Sequence, residues 1–214
     1  MCGRYTLTSH HRPDLKALGL LARDRFNIAP QSDVVVIDEE HRSVLKRWDF
    51  SPVWADPPMH LSNARSETLR EKPSFRGVKR CVFLADGWYE WHRGPNGKTP
   101  FYHFIDQEPL YFAGIYNDDS GCAIVTREAL GGIANIHHRQ PVLLDARAVV
   151  PWLDGHDLFA SAISHQVQYH PVSRAVNKPE NDRADLLDEA ENEDPANQST
   201  WSRDLFVGDG RDKP

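Results

Sequence analysis

The stretch Cys81-Val82-Phe83-Leu84-Ala85-Asp86-Gly87-Trp88-Tyr89-Glu90-Trp91-His92 decides the fold class of this chain. It contains two short runs, 81–84 and 88–92, that are rich in apolar and aromatic residues and flank a turn-forming Asp-Gly pair, a pattern typical of β-strands. A third such run, 101–104, follows a link that carries Asn96-Gly97, the strongest short signal for a β-hairpin. The stretch therefore predicts antiparallel strands.

The rest of the chain adds more short strands than helices. The segment 51–60 holds three prolines and is expected to be an ordered loop. Further strands are predicted over 1–8, 34–37, 44–48, 110–115 and 123–126, and helices over 12–21, over a short stretch ending near 75, over 146–153 and over 158–164. This pattern indicates an α+β fold, mostly antiparallel, with a barrel-like β core and a few flanking helices.

Composition limits the class of protein. Of the 214 residues, 40% are hydrophobic and 26% are charged, which is typical of a globular protein. There is no run of eighteen apolar residues and no signal-peptide pattern, so we expect no membrane partner. Cys2, Cys81 and Cys122 lack CxxC spacing, which suits a reducing compartment and argues against a structural zinc site. We expect neither a metal nor a cofactor.

The net charge of −6 is unevenly distributed along the chain. Residues 178–214 hold 11 acidic and 5 basic residues, whereas residues 1–177 hold 20 of each kind. A neutral body leaves room for a local basic groove, although bulk charge does not demonstrate one. We therefore divide the chain into a domain over 1–177 and an acidic tail over 178–214, which either docks in part onto the domain or is disordered.

The N-terminal stretch Met1-Cys2-Gly3-Arg4-Tyr5 is the first of four that point to chemistry. If the initiator methionine is removed, Cys2 carries an α-amine with a pKa near ~8 beside its own thiol. A neutral amine adds to an aldehyde to give a Schiff base, and the neighbouring thiol closes that imine into a thiazolidine. From this residue alone, the alternative that Cys2 is an incidental terminal residue is favoured.

Two further stretches place polar groups where a core does not need them. The run Asn63-Ala64-Arg65-Ser66-Glu67-Thr68 is dense in hydrogen-bonding groups, but a helix N-terminus capped by Ser62 or Asn63 explains it equally well. On a strand over 88–92, Trp88 and Glu90 share one face. A carboxylate beside large rings has a raised pKa and suits general acid/base work, whereas an exposed glutamate is the simpler alternative.

The fourth stretch, Ile136-His137-His138-Arg139-Gln140-Pro141, contains two adjacent histidines. On an extended segment they are expected to point to opposite sides, so that only one of them faces a given site. One buried and one exposed histidine without a function is an equally good interpretation. A metal site is less favoured, because no acid or cysteine lies at ligand spacing.

Together, the four stretches resemble the SRAP family, the SOS-response-associated peptidase proteins that recognise abasic sites in DNA. The resemblance rests on Met-Cys-Gly-Arg, Asn-Ala-Arg-x-Glu, Ala-Asp-Gly-Trp-Tyr-Glu-Trp and His-x-Arg-x-Pro in this order, and it runs from Met1 to about Asn177. The sequence departs from the family pattern at Asp49, where glycine is usual, and at Gln140, where methionine is common. The resemblance implies the SRAP fold for the domain and says little about the tail.

The resemblance also implies a function in the response to DNA damage. Family members trap the ring-opened aldehyde of an abasic site in single-stranded DNA as a thiazolidine crosslink. Carried over to this chain, Cys2 is the crosslinking nucleophile and Glu90 is the general acid/base that opens the deoxyribose ring. Asn63 positions the sugar and Cys2 by hydrogen bonding, and His137 protonates or stabilises the oxygen of the opened sugar.

The implied partner is single-stranded DNA with abasic sites, bound by a monomer in the bacterial cytoplasm, near the nucleoid, or in the nucleus if the source is eukaryotic. The candidate phosphate contacts are Arg4, Arg65 and Arg80, with Arg139 a weaker one. Trp54 is expected to stack on a base or to wedge against a duplex end. For Trp48, a core position is an equally good interpretation.

Two other functions fit the same residues. The first is an N-terminal-nucleophile thiol hydrolase or self-processing peptidase, in which Cys2, Glu90 and His137 support acyl transfer and Asn63 stabilises an oxyanion. The second is a module that coats single strands or recruits partners through the acidic tail. Trapping of an acyl-enzyme favours the hydrolase, an aldehyde-dependent DNA crosslink favours repair, and activity without Cys2 favours the binding module.

Overall fold

Two β-sheets form the body of the protein. The computed structural model describes residues 2–10, 12–95, 97–160 and 163–190. The strands are β1 (Tyr5–Leu7), β2 (Arg25–Ile28), β3 (Asp33–Ile37), β4 (Ser43–Arg47), β5 (Asn63–Arg65), β6 (Lys79–Ala85), β7 (Gly87–Gly94), β8 (Gly97–Phe104), β9 (Leu110–Asn117), β10 (Gly121–Glu128), β11 (Arg139–Pro141), β12 (Leu143–Leu144) and β13 (Gln168–Pro171). The α-helices are α1 (Pro13–Ala17), α2 (Ile133–Ile136) and α3 (Val149–Leu153).

The order of the strands confirms the predicted class. The first sheet has the order β13-β8-β7-β1-β2 and is antiparallel throughout. The second has the order β11-β10-β9-β6-β3-β4, with β12 beside β9 and β5 parallel to β10. The protein is therefore α+β and mostly antiparallel, but within the described ranges its sheets keep open edges and do not close into the expected barrel. The helices in these ranges are too short or too polar to cross a membrane.

The stretch that decided the fold class connects the two sheets. β6 lies in the second sheet and β7 in the first, so the turn at Asp86 carries the chain across. β7 and β8 pair from Gly87↔Phe104 to Gly94↔Gly97, which confirms the hairpin, although Asn96 itself lies outside the described residues. Trp88 is buried in the main core, whereas Tyr89 packs into a separate cluster on the other face of the sheet.

Several helix predictions are corrected. The first helix covers only Pro13–Ala17, because Gly19 has a left-handed backbone conformation, with φ +70°, that a helix cannot continue through. The last predicted helix is wrong in its described part, since residues 158–160 are not helical and only the 3₁₀ turn Ser164–Gln166 follows. The proline-rich segment 51–60 is a loop, as predicted.

Part of the predicted tail packs against the body. The carboxylate of Asp182 accepts a hydrogen bond from the backbone N–H of Asn27 at 3.0 Å, and Leu186 is fully buried. The described portion of the tail, 178–190, is therefore docked. The remainder, 191–214, lies outside the described residues, and the division of the chain at residue 177 stays a prediction.

A close approach at Gly87 gives a test of the β7–β8 pairing. A Cβ at this position would lie 2.5 Å from the backbone carbonyl oxygen of His103, which cannot move without breaking the pairing. We expect Gly87→Ala to lower the free energy of unfolding by about 1–3 kcal/mol in chemical denaturation. Gly94→Ala on the same strand is the control, because its nearest neighbouring atom would lie at 3.8 Å. Equal stability of the two variants would contradict the packing described for Gly87.

Candidate active site

The N-terminal residues lie beside the strand that carries Glu90. Tyr5 pairs with Trp88 in the β1–β7 ladder, and the N–H of Tyr89 donates to the carbonyl oxygen of Arg4 at 3.0 Å. Cys2 is completely buried and belongs to the main core with Trp88. Partners in an antiparallel ladder move by one residue in opposite directions along the two strands, so extending Tyr5↔Trp88 towards the N-terminus brings the chain around residue 3 next to Glu90. The fold thus brings the first and third of the sequence stretches together.

Asn63 holds the backbone of Cys2. Its side-chain Nδ2 donates to the carbonyl oxygen of Cys2 at 2.9 Å and to the Oγ of Ser62 at 3.0 Å. The Oδ1 atom is buried and has no hydrogen-bond partner within the described residues. Asn63 is not a helix cap, as one interpretation of the sequence had it. It begins β5, which pairs in parallel with β10 through Asn63↔Ile124. The amide is therefore positioned by sheet pairing and has one acceptor left for a ligand.

Glu90 is a buried carboxyl group. Its side chain is only 3% exposed, and Trp88, on the same face of β7, is fully buried. Burial raises the pKa of Glu90 to about 7, because the charged form loses its hydration. The exposed glutamate that the sequence alone favoured is therefore wrong. A carboxyl group with this pKa is present in both protonation states at neutral pH, as a proton shuttle requires.

His137 lies next to Glu90, with its Nδ1 atom 3.9 Å from Oε2. This Nδ1 also lies 3.0 Å from the backbone nitrogen of Arg139 and 3.1 Å from its carbonyl oxygen, so the tautomer of the ring decides whether Nδ1 accepts from the amide or donates to the carbonyl. Burial lowers the pKa of His137 to about 4, so the ring is neutral at pH 7.

The two histidines do not point to opposite sides. Their ring centroids are 4.4 Å apart and the rings are tilted by 34°. This corrects the expectation from an extended segment, and the reason is local: His137 directly follows the last residue of α2, and the chain bends at His138. His137 is partly buried and His138 is exposed, so a single histidine contributes to the site.

The Cys2 thiol is held in its neutral form. Burial raises its pKa well above the usual range, and the nearby carboxylate of Glu90 adds to this effect. The sulfur contacts the carbonyl oxygen of Arg4 at 4.0 Å, a weak hydrogen bond at most. A neutral thiol is a poor nucleophile, because the thiolate is the reactive species. Burial of Cys2 therefore keeps its sulfur less reactive than a thiolate.

The candidate DNA contacts fall into two groups. Trp54 is 64% exposed and Arg65 is exposed, and no hydrogen bond or ion pair engages the Arg65 guanidinium among the described residues. Arg4 instead donates to the Oδ1 of Asn27 and the carbonyl oxygen of Val176, each at 2.9 Å. These contacts tie Arg4 to the docked segment of the chain.

Three other candidates are engaged within the protein. Arg80 bonds the carboxylate of Asp157 at 2.5 Å and lies over the ring of Trp152 at 4.1 Å. Arg139 is nearly buried and forms a two-pronged ion pair with Glu67, at 2.7 and 2.9 Å. Trp48 is a core residue, fully buried, and its Nε1 donates to the carbonyl oxygen of Ser62 at 2.8 Å. Phosphate binding by Arg80 or Arg139 would compete with these contacts.

The Glu67–Arg139 pair was not predicted from the sequence. Both residues stand inside the motifs that drew attention, Glu67 in the second stretch and Arg139 in the fourth. Their partnership spans 72 positions, and nothing in the spacing of either stretch indicates it. The only signal was the presence of an unassigned acid, Glu67, and of a base considered only as a weaker phosphate contact, Arg139, next to proposed site residues.

The sequence of the chain matches a known protein family over most of its length. The family model for "SOS response associated peptidase (SRAP)" matches residues 1–179. The chain belongs to the SRAP family. It is 32% identical to the abasic site processing protein YedK of Escherichia coli over 87% of this chain and 99% of that protein. It is 30% identical to the abasic site processing protein HMCES of Gallus gallus over 86% of this chain and 67% of that protein. The resemblance found in the sequence is confirmed.

Solved structures show the same SRAP-type fold. A protein from Bacteroides thetaiotaomicron superimposes with a TM-score of 0.74 at 19% identity, covering 89% of this chain and all of that one. A phage-related protein from Bordetella bronchiseptica superimposes with a TM-score of 0.62 at 28% identity, covering 81% of this chain and 95% of that one. The two-sheet architecture described above is therefore shared with these proteins.

Proposed function

We propose that this SRAP protein processes abasic sites in single-stranded DNA by forming a covalent crosslink through Cys2. The relatives named above are abasic site processing proteins, which supports the substrate. The observation that carries the proposal is the placement of Cys2. Its backbone is held by Asn63 at 2.9 Å, beside a buried Glu90 that lies 3.9 Å from His137. These groups supply a nucleophile, a positioning amide and a proton shuttle.

The chemistry starts once Met1 has been removed and the α-amine of Cys2 is exposed. In the closed sugar, Glu90 takes the proton of the anomeric hydroxyl, the bond between C1′ and O4′ breaks, and O4′ takes a proton from water. The hydroxide left by that water takes up the N–H proton that the carbinolamine releases when the imine forms. The amine then adds to C1′ of the aldehyde, and the resulting carbinolamine loses water to give an imine. The thiol adds across the imine, with its proton moving to nitrogen. Aldehyde and aminothiol thus give a thiazolidine and one water molecule.

The protonation states fit these roles. Glu90, with its pKa of about 7, accepts a proton in ring opening and returns it to the leaving hydroxyl of the carbinolamine. His137 is neutral, so its ring N–H stabilises the freed O4′ by donating a hydrogen bond and need not lose a proton. The unpartnered Oδ1 of Asn63 is available to accept a hydrogen bond from the sugar or from the amine.

The hydrolase alternative fits these electrostatics less well. Acyl transfer by cysteine needs a thiolate, which active sites obtain by lowering the pKa of the thiol. Here burial and Glu90 raise the pKa of the Cys2 thiol, so we propose that the amine reacts first and the thiol second. Thiol addition to an imine succeeds under these conditions, because Glu90 in its carboxylate form can take the thiol proton as the new bond forms.

DNA binding is proposed to use two exposed side chains. Trp54 on the proline-rich loop offers a stacking face, and Arg65 is the last residue of β5, whose first residue, Asn63, holds the backbone of Cys2. Since an abasic site has no base to read, binding relies on phosphate contacts and stacking. We propose that the protein acts as a monomer on this substrate.

Arg65 provides a prediction for DNA affinity. Arg65→Ala is expected to weaken binding to single-stranded DNA and to reduce the slope of log K against log salt concentration by about 0.7, the value for one lost phosphate contact. Fluorescence anisotropy with a labelled oligonucleotide at several salt concentrations measures both quantities. Arg42→Ala is the matched control, because Arg42 is exposed on the β3–β4 turn, at the edge of the second sheet away from β5. An unchanged slope for Arg65→Ala would show that Arg65 does not contact a phosphate of the DNA.

The proposed function is tested with an oligonucleotide that carries one abasic site. The wild-type protein is expected to give a heat-resistant adduct on a denaturing gel. Digestion and mass spectrometry should place the adduct on Cys2, with the mass of the sugar fragment minus one water. Mass spectrometry of the intact protein shows whether Met1 has been removed. An adduct on a lysine, or none with processed protein, would overturn the proposal.

A further inference from the structure

The segment that carries His137 reaches from the second sheet to the first. It runs over residues 129–138, between β10 and β11 of the second sheet, and we call it the α2 loop because it contains α2. Its helix lies against β7 of the first sheet, the strand of Glu90. A Cβ on Gly132 would lie 2.8 Å from the phenol oxygen of Tyr169, which belongs to β13 of the same sheet. The α2 loop thus brings His137 within 3.9 Å of Glu90.

Hydrogen bonds close the α2 loop at its base. The backbone N–H of Ala129 donates to the carbonyl oxygen of His138 at 3.0 Å, which continues the ladder between β10 and β11 by one step. The backbone N–H of Leu130 donates to Oε1 of the Gln140 side chain at 2.8 Å. Because the donor is a backbone N–H, this contact also decides which end of the Gln140 amide carries the oxygen.

The other end of the Gln140 amide is engaged as well. Its Nε2 donates to Oγ of Ser164 at 2.8 Å, at the start of the 3₁₀ turn Ser164–Gln166. Gln140 is fully buried and Ser164 is 5% exposed, so water competes little for these bonds. One side chain on β11 therefore fastens the α2 loop and a third segment of the chain together. Glutamine at this position is one of the two departures from the family pattern in this sequence.

The fastening lies just before the part of the α2 loop that has the freest backbone. Gly131, with φ +55°, and Gly132 follow Leu130 and precede α2. Glycine restricts its backbone less than any other residue, so these positions do not by themselves fix the direction of the chain. Beyond them, Ile133 is buried in the main core, and its carbonyl oxygen accepts from the N–H of His137 at 3.1 Å. The hydrogen bond to Leu130 therefore fixes where this excursion begins.

We infer that Gln140 is a positioning residue: its side-chain amide fastens the α2 loop and so holds His137 beside Glu90. The inference rests on the proposed function for its kinetic readout. Its structural readout, the environment of the His137 ring, is measured without DNA.

The kinetic test uses single-turnover crosslinking at increasing concentrations of abasic single-stranded DNA. Gln140→Met keeps the length of the side chain and removes both hydrogen bonds. It is expected to lower the limiting rate about tenfold to a hundredfold, because small misplacements of catalytic groups are costly. The DNA concentration at half-maximal rate should stay within about twofold, as no DNA contact is removed. Gln168→Met, at an exposed position of β13, is the matched control and should change neither quantity. A raised half-maximal concentration with an unchanged limiting rate would overturn the inference.

A double-mutant cycle shows whether Gln140 acts through His137. His137→Ala removes the ring, so adding Gln140→Met to it should slow crosslinking by less than about twofold. A general effect on the fold would instead slow crosslinking equally in the presence and absence of the histidine. An equal loss in both backgrounds would therefore overturn the inference.

The spectroscopic test uses ¹H–¹³C NMR of the His137 ring and hydrogen exchange of the Leu130 amide in the protein without DNA. Gln140→Met should shift the ring signals and speed the exchange, whereas Gln168→Met should do neither. Ser164→Ala, which keeps the bond to Leu130, should give a smaller change of the same kind, and it decides the matter if Gln140→Met does not fold. Unchanged ring signals would overturn the inference even if His137→Ala reacts too slowly to measure. Absent crosslinking in the wild type would overturn only the proposed function.

Discussion

Cys2→Ala is expected to abolish the heat-resistant crosslink to abasic single-stranded DNA while leaving non-covalent binding largely intact. Alanine at position 2 still permits removal of Met1, so the variant keeps its α-amine and can form an imine. Without the thiol, the imine cannot close to the thiazolidine and is hydrolysed when the sample is heated. The phosphate and stacking contacts proposed for Arg65 and Trp54 do not involve the thiol.

Three measurements test this prediction. A denaturing gel after heating scores the stable adduct, borohydride treatment before heating traps the imine, and anisotropy measures binding. Cys122→Ala is the matched control, because Cys122 is equally buried but bonds the carbonyl oxygen of Arg47, away from the site residues. It should crosslink like the wild type. A full-strength, heat-resistant adduct of Cys2→Ala would show that another residue is the nucleophile.

The faces of β7 were predictable from the sequence because they depend on local geometry alone. Alternation on a strand places Trp88 and Glu90 on one face whatever the rest of the chain does. The sequence could not show that this face is buried, since burial depends on the second sheet packing over it. For this reason a raised pKa of Glu90 was one of two interpretations, and the structure was needed to choose between them.

The errors concern contacts between distant segments. Asn63 is of a residue type that favours helix caps, yet it lies in a strand, because β10, some 60 residues further along the chain, supplies the hydrogen bonds. The relation of Arg139 to Glu67 is of the same kind. Local propensity is a weak prior in such places, and pairing across the sheet overrides it. What the four motifs did predict was which residues assemble, through their resemblance to a known family.

Glu90→Gln is expected to slow crosslinking by about a hundredfold, because glutamine cannot accept or return the proton in ring opening. The wild-type rate should rise with pH through about 7, as the carboxylate form of Glu90 appears. The variant should lack this inflection and keep only the rise near ~8 that reports the neutral amine. Quench experiments from pH 5.5 to 9 give the two profiles. Glu40→Gln, on the exposed β3–β4 turn, should retain the wild-type profile.

The same variant tests the pKa itself through protein stability. The proton binds more tightly to Glu90 in the folded state, with a pKa of about 7, than in the unfolded chain, where glutamate has a pKa of about 4.3. The contribution of Glu90 to stability is therefore greatest below pH 4 and is lost as pH rises to 7. The difference in the free energy of unfolding between Glu90→Gln and the wild type should change by about 3 kcal/mol in favour of the variant between pH 4 and pH 8, as measured by denaturant unfolding. If the free energies of unfolding of the wild type and Glu90→Gln depended on pH in the same way, Glu90 would have no raised pKa. The role of proton shuttle would then have to be assigned to another group.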